Sequence, residues 1–357
     1  MYMKDPLILV INPGSTSTKI ALFSGTVQQH DLEISHPADE LAAFASNLDQ
    51  VDFRRAALEK ALQTWNVQVS SLNAIIGRGG PLKPLAGGVY HVGDSLLTDL
   101  KSGKLVDHAS ILGGILACTL AKPHNIPAFI ADPVSVDEFH DVARISGLPE
   151  LPRISLSHAL NIKAVVAEAA TDAGKRPEDL NYIVAHLGGG ISIAAHEKGR
   201  QVDVNNANDA GPFSPERVGT LPLGGLLKLC FSGTWTLPEM KKKLIGKGGL
   251  VAHLGTADVR EVMKRIEAGD HKAKLVLQAM AYQISKEIGA MATVMCGKVD
   301  GIILTGGIAY NKLFTDWITE RVGFIAPVIL KPGQNELKAL ARHAVQALQT
   351  PALVKEY

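Results

Sequence analysis

The chain alternates between short, continuously apolar runs and longer stretches where apolar residues recur at every third or fourth position. Two of the short runs, Leu7–Ile11 and Lys19–Phe23, stand in LILVINPGSTSTKIALF, split by a polar turn that begins Asn-Pro-Gly. Bounded by turn residues, such runs read as buried strands. A third strand-like run, TVQQHDLEI, follows at residues 26–34. The same order recurs in IVAHLGGGISIAAH (Ile183–His196), with RQVDVNNA after it at 200–207. Two β-β-β starts, near residues 7 and 182, point to a duplicated domain. Hairpins also resemble one another by chance, and the pattern alone leaves that alternative open.

Helical spacing marks Asp52–Trp65, Ala109–Ala121, Leu160–Ala173, Ala257–Ala268, Lys272–Met295 and Glu336–Leu348. Short strands are expected between them, at 73–77, 127–131, 301–305 and 326–330. Strands alternating with helices give mixed α/β layers. At 357 residues the chain is long for one core, so two domains are expected. LPELPR at 148–153 marks the boundary, giving domains 1–152 and 153–335; the final helical run could pack back on either half, and the 336–357 segment is assigned to the first.

Charge changes this picture little. Lys and Arg number 36 against 35 Asp and Glu, which leaves no basic field for nucleic acid or an anionic membrane. Cys118, Cys230 and Cys296 have no paired metal-binding spacing and read as reduced, mostly packed thiols. In Met1–Leu7 the Lys4-Asp5-Pro6 interruption argues against a secretory leader. No run reaches the roughly 18 apolar residues of a membrane span, and a cytoplasmic protein is expected.

The candidate chemistry sits at the glycine turns. NPGSTSTK is either a polar hairpin tip or a cradle of N–H groups, hydroxyls and a lysine for phosphate oxygens. The three glycines of HLGGG (His186–Gly190) are costly as filler and suit close approach of a ligand to backbone. His186 reads equally as a buried imidazole. At GIILTGGIAYNKLF a strand, a glycine pair and a helix follow one another, a geometry common at nucleotide sites and also as mere connection. None of these turns fits the dinucleotide or Walker patterns. Arg78, in IIGRGG, could meet an anion or simply sit in solvent on its turn. Asp132, before Pro133, could be functional or order its own turn, and His158 could serve only as a first-turn helix residue.

Taken together, NPGSTSTK, HLGGG, LTGGIAYN and the duplication resemble the acetate and butyrate kinases. These belong to the actin, Hsp70 and sugar-kinase superfamily, and the resemblance covers nearly the whole chain. GRGGPLKPLAGGVY, NDAGPFSPERVGTLP and PGQNELKALA look more like the butyrate than the acetate enzymes. The resemblance implies an α/β fold of duplicated ribonuclease-H-like domains with an ATP cleft between them. It implies reversible ATP-dependent phosphorylation of a short-chain carboxylate, butanoate first, with isobutyrate, propionate or acetate as alternatives. ATP and Mg²⁺ are the implied co-substrate and metal, and a homodimer or larger homo-oligomer the implied assembly.

Site residues carry over by position. Asn12 and Lys19 would lie beside Mg²⁺ and the ATP phosphates, with Ser15 and Ser17 in the same turn. Arg78 would meet the substrate carboxylate, Asp132 is the implied catalytic aspartate, and His158 would steady the transferred phosphoryl group. His186, Leu187, Gly188, Gly189 and Gly190 match the second phosphate loop, and TADVRE brings Asp258 and Arg260 to the nucleotide. Gly306, Gly307, Ile308 and Asn311 fall on the adenosine segment, and Glu336 on the magnesium-associated glutamate; a plain helix-start role is its alternative. One departure stands out. Gly219-Thr220-Leu221 replaces the Gly-Thr-Arg of acetate kinases, and Arg217 is the nearby cation. A nucleotide-driven clamp without an acyl acceptor is the alternative from another class, since fold does not fix function.

Overall fold

The computed structural model describes residues 5–104 and 108–357. Residues 1–4, part of the segment read for a leader, and 105–107 lie outside them. Contacts group the chain into two units, Met1–Val136 with Asn335–Tyr357, and Asp137–Gln334. Residues 137–152, grouped with the first half from sequence, belong by these contacts to the second. There Phe139 and Ala143 pack with Ile162 and Val166.

In the first unit, strands β1 (Leu7–Pro13), β2 (Ser17–Ser24), β3 (Val27–Ser35), β4 (Ala74–Arg78), β5 (Val89–His91) and β6 (Ala128–Ala131) form one sheet. Its order is β3-β2-β1-β4-β6-β5. β1, β2 and β3 pair antiparallel, whereas β1, β4 and β6 run parallel. The uninterrupted apolar run of β1 follows from burial on both faces. Leu9 and Ile11 join a core with the helices Val51–Thr64 and Leu112–Ala121. Ile8 and Val10, equally buried, alternate to the other face, and the helix Glu336–Gln349 packs on β1 and β4.

The second unit repeats this plan. Strands β7 (Asn181–Leu187), β8 (Ile191–Glu197), β9 (Arg200–Val204), β10 (Gly301–Gly306) and β11 (Val328–Pro332) take the order β11-β10-β7-β8-β9. β7, β8 and β9 are antiparallel and β7, β10 and β11 parallel, matching β1, β2, β3, β4 and β6 of the first sheet, whose antiparallel edge strand β5 has no counterpart among the described residues of this one. Ile183, Ala185 and Leu187 face the helix His271–Val294, and Tyr182 and Val184 face the helix Ala159–Asp172. Asp270 starts the former helix by accepting the Ala273 N–H at 2.9 Å.

Two features depart from the sequence expectations. Cys230 and Cys296 are exposed rather than packed. Cys230 ends the helix Leu223–Cys230, which buries no residue, and Cys296 lies in a left-handed turn just after the helix His271–Val294. That short helix also leaves Leu223, Leu227 and Phe231 exposed, with Leu237 beyond it. Among the described residues no helix is long and apolar enough to cross a membrane.

Where the helix Leu112–Ala121 crosses β4, both partners are glycine. A Cβ on Gly77 would collide with the Gly113 carbonyl, and one on Gly113 with the backbone of Arg78. This backbone-on-backbone contact fixes the end of β4, where Arg78 emerges. Gly77→Ala should therefore lower stability by about 2 kcal/mol or more. Urea denaturation reads it, and an unchanged midpoint and slope would refute the contact's importance.

Candidate active site

Because β1, β4 and β6 are parallel, their carboxyl ends open on one edge of the first sheet. Ligands of open α/β sheets bind at such edges. Asn12 is the last residue but one of β1, Arg78 ends β4 and Asp132 follows β6. The helix Glu336–Gln349 adds its first residue. Asn12 Nδ2 donates to Glu336 Oε2 at 2.7 Å, and Arg78 Nη1 reaches the same oxygen at 3.3 Å. Arg78 Nη1 also lies 3.5 Å from Asn12 Oδ1. Only one nitrogen of the Arg78 fork is used in these contacts, and Glu336 Oε1 takes no part in them.

Asp132 is held differently. Its side chain is fully buried, and its backbone sits at φ 37°, a left-handed conformation unusual before proline. The Gly88 N–H donates to Oδ1 at 2.7 Å, and His343 Nε2 lies 2.9 Å from Oδ2. Sequence reading missed His343. It is one more polar position in an amphipathic helix, two turns after Glu336, and only packing on the sheet brings it to Asp132. Ser15 is exposed in the β1–β2 turn. Ser17 Oγ donates to Glu33 Oε1 at 2.9 Å, and Lys19 Nζ lies 3.7 Å from Glu33 Oε2. Strand alternation puts Lys19 directly across from Asn12 in the β1–β2 pair.

In the second unit the same alternation carries His186 to the face of Tyr182 and Val184, under the start of the helix Ala159–Asp172. Asn161 Nδ2 approaches His186 Nδ1 at 2.9 Å and Thr305 Oγ1 at 3.2 Å. The Gln334 carboxamide lies 3.0 Å from His186 Nε2. His158, at the cap position of that helix, stacks on His186 with centroids 4.0 Å apart and planes within 10°. Its Nδ1 pairs with Ser192 Oγ at 2.9 Å, and Ser192 is the cross-strand partner of His186. His158 and His186 thus form one polar cluster.

The Gly188–Gly190 turn follows. Ser214 Oγ donates to the Gly189 carbonyl at 2.6 Å. A Cβ on Gly190 would stand 2.6 Å from the Arg217 guanidinium carbon. Arg217 is half-buried, and burial lowers its pKa from the usual arginine range. Its guanidinium has no hydrogen-bond or ion-pair partner among the described residues. Beside this turn a cavity of about 840 Å³ is lined by Gly188, Gly189, Glu216, Asp258, Arg260, Gly307, Ile308, Tyr310, Asn311 and Gln334. It gathers seven of the nucleotide positions expected from sequence, Gly188, Gly189, Asp258, Arg260, Gly307, Ile308 and Asn311, and adds Glu216, Tyr310 and Gln334.

Several of these residues also have local duties. Asp258 caps the helix Val259–Glu267 through the Arg260 N–H at 2.9 Å and pairs with the Arg260 guanidinium at 2.8 Å. The Arg260 hydrogen bond draws its carboxyl down to about 2. Asn311 Oδ1 caps the helix Lys312–Val322 through the Phe314 N–H at 2.9 Å. Gly306, at φ 88°, would press a Cβ against the Leu187 backbone. No cluster of three or more His, Cys, Asp or Glu arranged for a metal occurs among the described residues.

The chain resembles known proteins over nearly its full length. Residues 157–323 match the model of the acetokinase family. A probable butyrate kinase 2 of Caldanaerobacter subterraneus subsp. tengcongensis is 54% identical over 350 residues, 98% of this chain and 99% of the relative. Two solved structures share the fold at 19% identity. The acetate kinase of Porphyromonas gingivalis has a TM-score of 0.78, covering 96% of this chain and 99% of its own. A propionate kinase from Francisella tularensis has a TM-score of 0.75, covering 95% and 98%. The two similar sheets, the glycine turns and this near full-length identity agree: the chain belongs to the acetokinase family.

Proposed function

We propose that this protein transfers the γ-phosphoryl group of ATP to a short-chain carboxylate, butanoate before others, and runs in reverse to make ATP from butanoyl phosphate. The observation that carries the reading is Arg78. It stands at the carboxyl end of a parallel strand, steadied through one nitrogen by Asn12 and Glu336, with the rest of its planar fork able to take a carboxylate. The high identity to a relative named a probable butyrate kinase supports butanoate.

The acid is ionised at pH 7, so it needs no strong base to become a nucleophile. The difficulty is the approach of one anion to another. Donors and cations on the transferring group lower that barrier. Arg78 orients the acid, and His158, its ring fixed by Ser192 and His186, steadies the phosphoryl oxygens. Arg217, beside Gly190, offers the cation that Leu221 does not. The 840 Å³ cavity takes the nucleoside, with Ile308 and Tyr310 as its apolar wall and Gly188–Gly190 leading to the phosphates.

The donors around Glu336 fit Mg²⁺, which keeps several waters and takes one or two protein carboxylates. Glu336 Oε1 and the Asn12 amide oxygen would hold it through water, and bound Mg²⁺ would neutralise charge on the phosphate oxygens. Asp132, clamped by Gly88 and His343, would fix the geometry around the transferred group. A homo-oligomer is part of this reading, supported by the exposed apolar side chains of Leu223, Leu227, Phe231 and Leu237.

The direct test is ADP formation with acetate, propionate, butanoate, isobutyrate and valerate, for the wild type and Arg78→Ala. Butanoate should give the highest kcat/KM. The variant should lose about 2–3 kcal/mol, roughly 30- to 150-fold in kcat/KM for the acid, with ATP binding nearly kept. ADP release that ignores every acid would instead favour the nucleotide-driven clamp.

His343→Ala removes the imidazole contact at 2.9 Å from the buried Asp132 carboxylate and should cut kcat about tenfold or more. His343→Gln, which can still donate a hydrogen bond, should recover part of the loss. Wild-type turnover in His343→Ala would remove the pair from the mechanism. Sedimentation velocity should find a dimer or larger species, and Leu227→Glu with Phe231→Glu should dissociate it. A monomeric wild type would end the oligomer reading.

A further inference from the structure

The β1–β2 turn rests on a buried arginine that no sequence motif marks. Arg54, on the helix Val51–Thr64, is 0% exposed, yet no carboxylate pairs with it among the described residues. A buried cation without a counter-charge is costly unless it is fully hydrogen-bonded. Arg54 meets that condition with backbone carbonyls. Nη1 donates to Gly14 O at 2.9 Å, Ser17 O at 3.2 Å and Thr18 Oγ1 at 3.0 Å. Nη2 donates to Ser15 O at 3.1 Å. Gln50 Oε1 accepts from Nε at 3.0 Å and from Nη2 at 2.8 Å. The one remaining turn carbonyl, Thr16 O, accepts the His36 N–H at 2.8 Å.

All four carbonyls of Gly14–Ser17 are thereby held. In a trans peptide the C=O and the next N–H point in opposite directions. Carbonyls of Gly14 and Ser15 turned toward Arg54 therefore turn the N–H groups of Ser15 and Thr16 away from it. Both residues are exposed, and neither N–H has a partner among the described residues. Adjacent outward N–H groups form an anion-binding concavity. The neighbouring imidazole adds no charge. His36 shares Thr18 Oγ1 at 2.8 Å, and burial together with the Arg54 charge pushes its pKa down to about 4. The charge held against the turn's carbonyls is therefore that of Arg54.

We propose that Arg54 is the positioning residue of the phosphate-binding hairpin. It aims the Ser15 and Thr16 N–H groups at anionic oxygens, and its own unbalanced charge is offset when the phosphate chain binds. This rests on the reading that the hairpin receives nucleotide phosphates. Its consequence is that the ligand-free protein carries a buried charge whose balance is the substrate itself.

Gln50→Glu tests this with little change of shape. The carboxylate can accept the same two hydrogen bonds while neutralising the guanidinium. The variant should keep or raise the ligand-free Tm, weaken ATP binding about tenfold by calorimetry, and shrink the rise in Tm on adding ATP. The KM for the acid should stay within about twofold. Arg54→Lys, which keeps the charge and loses the fork, should also weaken ATP binding. A merely structural arginine predicts wild-type ATP affinity in Gln50→Glu, and that result would overturn the proposal whether or not Arg54→Lys folds. Inorganic tripolyphosphate serves as a second probe. A wild type that binds tripolyphosphate but not ATP would spare the hairpin and sink the nucleotide reading, whereas one that binds neither would sink both.

Discussion

Parallel pairing of the central strands is the constraint on which the rest depends. Parallel strands must end on the same edge, so one choice of pairing gathers the residues after each strand in space. In the first unit it collects Asn12, Arg78 and Asp132, which are scattered over 120 positions of sequence. In the second it collects the Gly188–Gly190 turn, Gly307 and Gln334. The chain's last helix then completes the first group. Packed on β1 and β4, it brings Glu336 to Asn12 and Arg78, and two turns later His343 to Asp132.

The two units use one topology for different work. In the first, the hairpin turn carries hydroxyls and the adjoining strand a lysine, with a buried arginine beneath. In the second, the turn is all glycine, and the polar groups below it are the stacked His158 and His186 with Asn161 and Thr305. Strand alternation explains the contrast. Thr18 and His186 both point from hairpin strands toward a covering helix, and each finds polar partners there because a buried polar side chain must.

Buried charge is concentrated at these places. Arg54 and Asp132 have fully buried side chains, and each is held by backbone groups as well as side chains. Such arrangements fix geometry more than they add stability. The glycine-on-glycine crossing of β4 and the helix Leu112–Ala121 works in the same sense, holding Arg78 at the strand end without any intervening side chain.

Local pattern was enough for most elements. The continuous apolar runs gave β1, β7 and β10, the three- and four-residue spacing gave the long helices, and the glycine turns marked both hairpins, because burial and turn geometry act over a few residues. The resemblance carried by NPGSTSTK and HLGGG pointed to the family. Pattern failed where partners are distant. Nothing near Arg54 or His343 announces a ligand, since each looks like a polar position on an amphipathic helix. Asp258 and Asn311 read as ligand contacts and prove to cap helices as well. The exposure of Cys230 and Cys296 also had no local sign. The sequence by itself determined strands, turns and kinship, which depend on neighbours along the chain. Only the tertiary structure decided which side chains meet, because parallel crossovers and helix packing join residues that the sequence keeps far apart.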